Sequence, residues 1–224
     1  MRRPEFIARQ AACPSGLLGR CLGRIMAAET ADANRAAVAS LDLRPTDHVP
    51  EVGFGHGATV TLLAGATPGG GVAGVDISEE MLLLATRRKR EDITRGRVDL
   101  KLASAEELPY PDGRFDKALS VHTLYFWSEP ARALREIQRV LKSTGRFVLA
   151  WRHDREAMRS FPESVYRFHD ADSVQRLLRS VGFGEAYVVE RSKGGAVLHL
   201  AVASAYERVI CCHASASAAA ARST

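Results

Sequence analysis

Short apolar runs alternate with amphipathic stretches along most of the chain. His48 to Val52, Val72 to Asp76, Val98 to Leu102, Phe115 to Val121 and Arg146 to Trp151 read as strands, by period-two alternation or as continuous apolar runs. Helical patterns fall between them. One covers about 57–66, and a second follows the Ser78 cap, with Glu79 and Glu80 in its first turn, and runs to about Arg90. A third opens at Glu129-Pro130 and puts Ala133, Ile137, Val140 and Leu141 on one face before Ser143-Thr144-Gly145 stops it. A fourth runs from Asp172 to Val181 and ends at Gly182. Ala186 to Glu190 and Ala196 to Ala203 are two more strands, joined by the hairpin signal Lys193-Gly194-Gly195. Strand and helix thus alternate from about residue 46 to 190. This order predicts an α/β fold with a doubly wound, mostly parallel sheet of about seven strands and a C-terminal antiparallel hairpin. Such sheets hold ligands at the carboxyl ends of their strands.

The flanks are less regular. Leu17 to Met26 has a helical period weakened by Gly19 and Gly23, and Thr30 predicts the cap of a separate helix from Ala31 to Leu41. The expected division is an N-terminal helical lid over 1–28, a main domain over 29–205 and a flexible, low-complexity tail over 206–224. Pro50 cannot donate to a central ladder, so an irregularity or a missing bond is expected in the first strand.

Glu51-Val52-Gly53-Phe54-Gly55-His56-Gly57-Ala58 joins that strand to the next helix. Glycines at this density allow a tight turn and the close approach of a ligand to backbone N–H groups at a helix start. Two fingerprints overlap. Gly53-x-Gly55-x-x-Ala58, with Asp76 18 residues beyond Ala58, fits a dinucleotide site and hence an NAD-dependent oxidoreductase. Gly53-x-Gly55-x-Gly57 places glycine at alternate positions, and Glu51 in front of it suits a ligand carrying an ammonium group better than a pyrophosphate.

Four stretches in order decide between them by resemblance: Glu51 to Gly57, Gly74-Val75-Asp76-Ile77-Ser78, Ala105 to Asp116, and Glu136 to Lys142. Over about residues 45–205 the chain resembles the class I S-adenosylmethionine-dependent methyltransferases, in particular the small-molecule, type 11-like group. The resemblance implies a Rossmann-like fold and S-adenosyl-L-methionine as cofactor. It implies that Gly53, Gly55 and Gly57 admit the methionine and ribose portions, that Glu51 meets the amino group, and that Asp76 accepts both ribose hydroxyls. Ile77 and Met81 would flank the adenine, Ser104, Ala105 and Glu106 would lie along its edge, and His122 would face the sulfonium. Many relatives carry Asp where this chain has Ser104. A cofactor-binding module without turnover remains an alternative.

Methyl transfer from a sulfonium needs alignment and water exclusion more than a fixed catalytic group. If a base takes part, His122 and Tyr125 are the candidates, with Phe126 and Trp127 as an apolar wall. His153 and His169 lie in a more variable segment, and Trp151 and Tyr166 are read as pocket or core. Ser120-Val121-His122-Thr123 lacks the end-of-strand motifs of DNA methylases, so a small-molecule acceptor and no nucleic acid are expected.

Composition changes little. Of 224 residues, 46% are hydrophobic and 25% charged, as in a soluble globular domain. The net charge of +5 reads as an arginine-rich solvated surface. Cys13, Cys21, Cys211 and Cys212 form neither a zinc pattern nor a disulfide framework, which points to a reducing, cytoplasmic setting and no metal. No stretch reaches transmembrane length.

Overall fold

The computed structural model describes residues 4–152, 160–193 and 196–205. Among them, one seven-stranded sheet runs in the order β3-β2-β1-β4-β5-β7-β6. The strands are β1 (His48–Val52), β2 (Gly71–Asp76), β3 (Val98–Leu102), β4 (Phe115–Val121), β5 (Leu141–Arg152), β6 (Ala186–Lys193) and β7 (Ala196–Ser204). The first five pair in parallel, and β7 is antiparallel to both β5 and β6. The fold is therefore the doubly wound α/β sheet with an antiparallel C-terminal pair. The hairpin glycines at 194–195 lie outside the described residues, as do His153 and the tail over 206–224.

Alternation along the strands builds two cores. Val49, Val72, Leu119, Val121, Val148 and Ala150 face α2 (Gly16–Ser40) and α3 (Ala58–Ala66). Val52, Val75, Ala118, Phe147, Leu149 and Trp151 face α6 (Pro130–Val140) and α7 (Ala171–Ser180). Burial of these faces on both sides is what holds a parallel sheet together. Trp151 is fully buried and its indole donates to the His169 carbonyl at 2.9 Å, so it is core rather than pocket. Tyr166 stacks with Phe168 and packs on Phe126.

The helices start where their caps place them. Ser78 Oγ accepts the Met81 amide at 3.2 Å and opens α4 (Glu79–Arg88), and Pro130 occupies the first turn of α6. Asp170 Oδ1 accepts the Ser173 amide at 2.7 Å and opens α7. A short α5 (Arg90–Thr94) extends α4 after a break.

Three local readings need correction. The two N-terminal helices are one continuous α2 of 25 residues, preceded by α1 (Glu5–Ala12). Thr30 does not cap it; its hydroxyl donates to the Met26 carbonyl at 2.8 Å within the helix. Gly19 and Gly23 are tolerated because they allow close packing. A Cβ at Gly19 would lie 2.8 Å from the Pro14 carbonyl carbon, and one at Gly23 would lie 3.2 Å from Met81 Cε. Ser143-Thr144-Gly145 is not a separate turn but a bulge within β5, where pairing to β4 jumps from Phe115↔Leu141 to Lys117↔Arg146.

Pro50 leaves β1 in unbroken register with β2 over five pairs. Its effect falls on the other side, where the described ladder to β4 is the single pair Glu51↔Leu119. There the His48 amide turns to the Asp116 carboxylate at 3.0 Å instead of a strand carbonyl. Among the described residues no helix is long and apolar enough to cross a membrane.

Candidate active site

The strand order reverses between β1 and β4, and a cavity of about 290 Å³ opens at the carboxyl ends of the strands around that point. Four connections build it, one after each of β1 to β4. α1, the connection after it and the first half of α2 roof it through Ala11, Ala12, Pro14, Gly23 and Met26.

The glycine loop after β1 follows a path that side chains would block. Gly53, Gly55 and Gly57 have φ of 80°, 53° and 80°. A Cβ on Gly53 would fall 2.2 Å from Thr123 Cγ2, whereas one on Gly55 would meet nothing within 4 Å. Gly53 is thus fixed by a neighbour, and Gly55 by its backbone angle at the edge of open space. Gly57 caps α3 against Ala85 and is not part of the cavity wall. The Gly53 amide donates to the Val75 carbonyl at 2.8 Å, and the Gly55 amide donates to Asp76 Oδ2 at 2.8 Å, which binds the loop to the end of β2.

Two carboxyl groups sit in this wall. Glu51 is 2% exposed, and its Oε2 is buried with no hydrogen-bond partner. Burial pushes its carboxyl well above the usual carboxylate range; the Thr59 hydroxyl and Val60 amide oppose this, and nearby Asp76 adds to it. Burial also raises Asp76, against hydrogen bonds from the Ser78, Gly55 and Ile77 amides. The Ser78 bond to Oδ1 measures 2.9 Å. Oδ1 holds the Ser78 amide and Oδ2 the Gly55 amide, and with the Ile77 amide nearby the carboxylate still keeps acceptor capacity for a further donor.

His122 follows β4 at φ 58°, a conformation uncommon for a residue with a Cβ. Its amide donates to the Ala150 carbonyl at 2.8 Å, which anchors the turn to β5. Its Nδ1 lies 3.3 Å from the Tyr125 hydroxyl, and its Nε2 is buried without a partner. Burial, helped by the positive charge of Arg152, pulls the imidazole down to about 3, so the ring is neutral near pH 7.

The cavity wall brings together Glu51, Gly53, Gly55, Asp76, Ile77, Met81, Ser104, Ala105, Glu106 and His122. Tyr125, the other candidate base, does not line this cavity. Its phenol lies behind His122, accepts the Arg152 amide at 2.5 Å and donates to the Arg152 carbonyl at 3.2 Å. Burial raises its pKa further from the neutral range. Glu106 reaches the wall, but its Oε1 accepts from the Ser128 hydroxyl at 2.7 Å and the Glu129 amide at 2.8 Å, and these bonds hold its carboxyl low. Sequence reasoning gave no site role to Thr123 or to the α2 residues Thr30 and Asn34, and placed the α2 residues Gly23 and Met26 only within the lid segment. The four α2 residues recur at three- and four-residue spacing, a signal hidden once the helix was split at Thr30.

The geometry has counterparts. The methyltransferase domain family matches residues 50–149. An uncharacterized methyltransferase, YdaC of Bacillus subtilis (strain 168), is 33% identical over 146 residues, 65% of this chain and 77% of that protein. This chain belongs to the class I S-adenosylmethionine-dependent methyltransferases. A demethylmenaquinone methyltransferase of Symbiobacterium thermophilum is 40% identical to this methyltransferase over 117 residues, 51% of this chain and 46% of that protein. The match thus spans about half of that relative. An S-adenosylmethionine-dependent methyltransferase from Aquifex aeolicus shares the methyltransferase fold with a TM-score of 0.64, at 21% identity over 76% of this chain and 88% of that one. Family membership removes the NAD reading of the glycine loop.

Proposed function

We propose that this methyltransferase holds S-adenosyl-L-methionine in the cavity at the β1–β4 switch point and passes its methyl, by in-line displacement, to a small-molecule acceptor. Glu51 carries the reading. A carboxyl group with an orphaned, buried oxygen destabilises a protein unless something bound supplies the donor. An amino-acid ammonium is such a donor, whereas an ionised pyrophosphate offers none. The same cavity offers backbone approach at Gly55, with Gly53 and Gly57 shaping the loop, and the remaining acceptor capacity of the Asp76 carboxylate for a ribose hydroxyl. Ile77 and Met81 would flank the adenine, with Ser104, Ala105 and Glu106 along its edge.

The bound cofactor supplies a methyl already activated by its sulfonium. The protein then aligns the acceptor and excludes water. His122 is the residue we assign to the acceptor proton. Tyr125 has one hydroxyl proton; given to the Arg152 carbonyl, it leaves His122 Nδ1 to donate and Nε2 as a bare lone pair. Tyr125 is then a positioning residue. Phe126 and Trp127 form the apolar side of the acceptor space, and α1 with the first half of α2 acts as its lid. The free thiols of Cys13 and Cys21 suit a cytoplasmic location.

Radiolabelled methyl transfer into a metabolite extract tests the reading. Label in a small-molecule fraction that needs the wild-type protein and falls at least about tenfold in Glu51→Ala supports it. Label in protein or nucleic acid alone, or none at all, overturns it.

A further inference from the structure

The first half of α2 is apolar on both sides. Its inner stripe, Gly19, Gly23 and Met26, turns toward α1, Met81 and the cavity. Its outer stripe, Leu17, Cys21 and Ile25, spaced four residues apart, faces solvent, with Leu18 beside it. Leu17 is 78% and Ile25 56% exposed. A helix roofing a site needs only one apolar face, and a solvated second face costs free energy unless something covers it.

Charge points to what covers it. Residues 1–28 hold five arginines and one acid, so they supply four of the chain's five net positive charges, and the other 196 residues are nearly neutral. The offsets inside the segment are specific. Arg9 pairs with Glu5 at 2.7 Å, and Arg20 pairs with Glu80 of α4 at 2.5 Å. The first half of α2 holds Arg20 and Arg24 and no acid, and a basic segment with exposed leucine and isoleucine is the combination that lies in the interface of an anionic bilayer. Exposed Ile77 adds to the apolar rim at the same edge, since its carbonyl lies 3.9 Å from Cys13 Sγ at the α1–α2 junction.

We propose that the outer face of α1–α2 docks this methyltransferase on an anionic lipid surface, with Leu17, Leu18 and Ile25 dipping into the headgroup–acyl boundary. The cavity roof then touches the lipid, so an apolar acceptor dissolved in the bilayer reaches the site without crossing water. Docking is independent of the cofactor assignment; only the delivery of an acceptor rests on the proposed function.

The test is co-sedimentation of the full chain with vesicles of phosphatidylglycerol and phosphatidylcholine in equal parts, and with phosphatidylcholine alone. Binding is expected on the anionic vesicles, weakened by salt and on neutral lipid. Leu17→Ser with Ile25→Ser is expected to lower it by about tenfold per side chain. S-adenosylhomocysteine titration of the same variant should match wild type and reports the fold and the cofactor site separately. No binding of the wild-type chain to anionic vesicles overturns the proposal. So does equal binding by the double variant, or a wild-type dimer that the double variant converts to monomer, since a second copy would then be what covers the stripe.

Discussion

The Gly55 amide donates to Asp76 Oδ2 at 2.8 Å, so the carboxylate that ends β2 also fixes the middle of the loop that follows β1. The residue assigned to the ribose thereby shapes the cradle for the rest of the cofactor. Asp76→Ala should remove both, and S-adenosylhomocysteine affinity is expected to fall by about 1–3 kcal/mol. Calorimetry measures it, and an unchanged affinity removes Asp76 from the site.

Gly53 and Gly55 should fail in different ways. Gly53→Ala forces a Cβ to 2.2 Å from Thr123 Cγ2 at φ 80°, so it is expected to unfold at lower temperature, with a loss of about 1–3 kcal/mol or more. Thr123→Ser removes the clashing methyl and should recover part of that loss in the double variant. Gly55→Ala meets nothing within 4 Å and should keep more of the stability while losing cofactor affinity. Thermal melts beside ligand titrations separate the two, and equal behaviour of both variants would refute the distinction.

Much of this site was legible because strand ends and glycines are local signals. Glu51, Asp76 and His122 lie at or next to the carboxyl ends of apolar runs, and the doubly wound order then carries all three to the same end of the sheet. The roof was expected as a lid over 1–28, but its continuity with the next helix was not legible. Thr30 offers a capping hydroxyl, but its bond to Met26 runs inside a helix that tertiary packing keeps continuous, and the packing of Gly19 and Gly23 is invisible until Pro14 and Met81 are placed. Tyr125 lies three residues from His122, close enough in sequence to suggest a shared role. Only the partner at Arg152, 27 residues on, shows where its hydroxyl is spent.

His122 makes stability fall in acid. Its imidazole stays neutral in the folded chain down to about pH 3, whereas in the unfolded chain it takes a proton near its ordinary value of about 6.5. The unfolded state thus binds more protons between these values, and stability is lost as pH falls, at up to about 1.4 kcal/mol per pH unit. His122→Asn, which tolerates positive φ, should be less sensitive to acid across this window. Denaturant melts from pH 7 to 4 test it, and parallel curves for the two proteins would contradict the assignment.

Glu51 has the opposite sign. Its carboxyl is raised well above the usual range, so in the unliganded chain stability falls as pH rises through the ordinary carboxylate value. An ammonium placed against Oε2 should bring the carboxyl back down. At a pH where Glu51 is protonated in the free chain, S-adenosylhomocysteine binding is therefore expected to release protons, seen as a binding enthalpy that changes with the ionisation enthalpy of the buffer. Glu51→Gln should bind more weakly and show no such change. Identical enthalpies for the wild type in all buffers would refute the Glu51 contact.

The most direct test of the account is calorimetric titration of the wild-type chain with S-adenosylhomocysteine and, separately, with NAD. Saturable one-to-one binding of S-adenosylhomocysteine, lost in Glu51→Ala, with no heat from NAD, is the predicted result. Saturable NAD binding with no S-adenosylhomocysteine signal would contradict it.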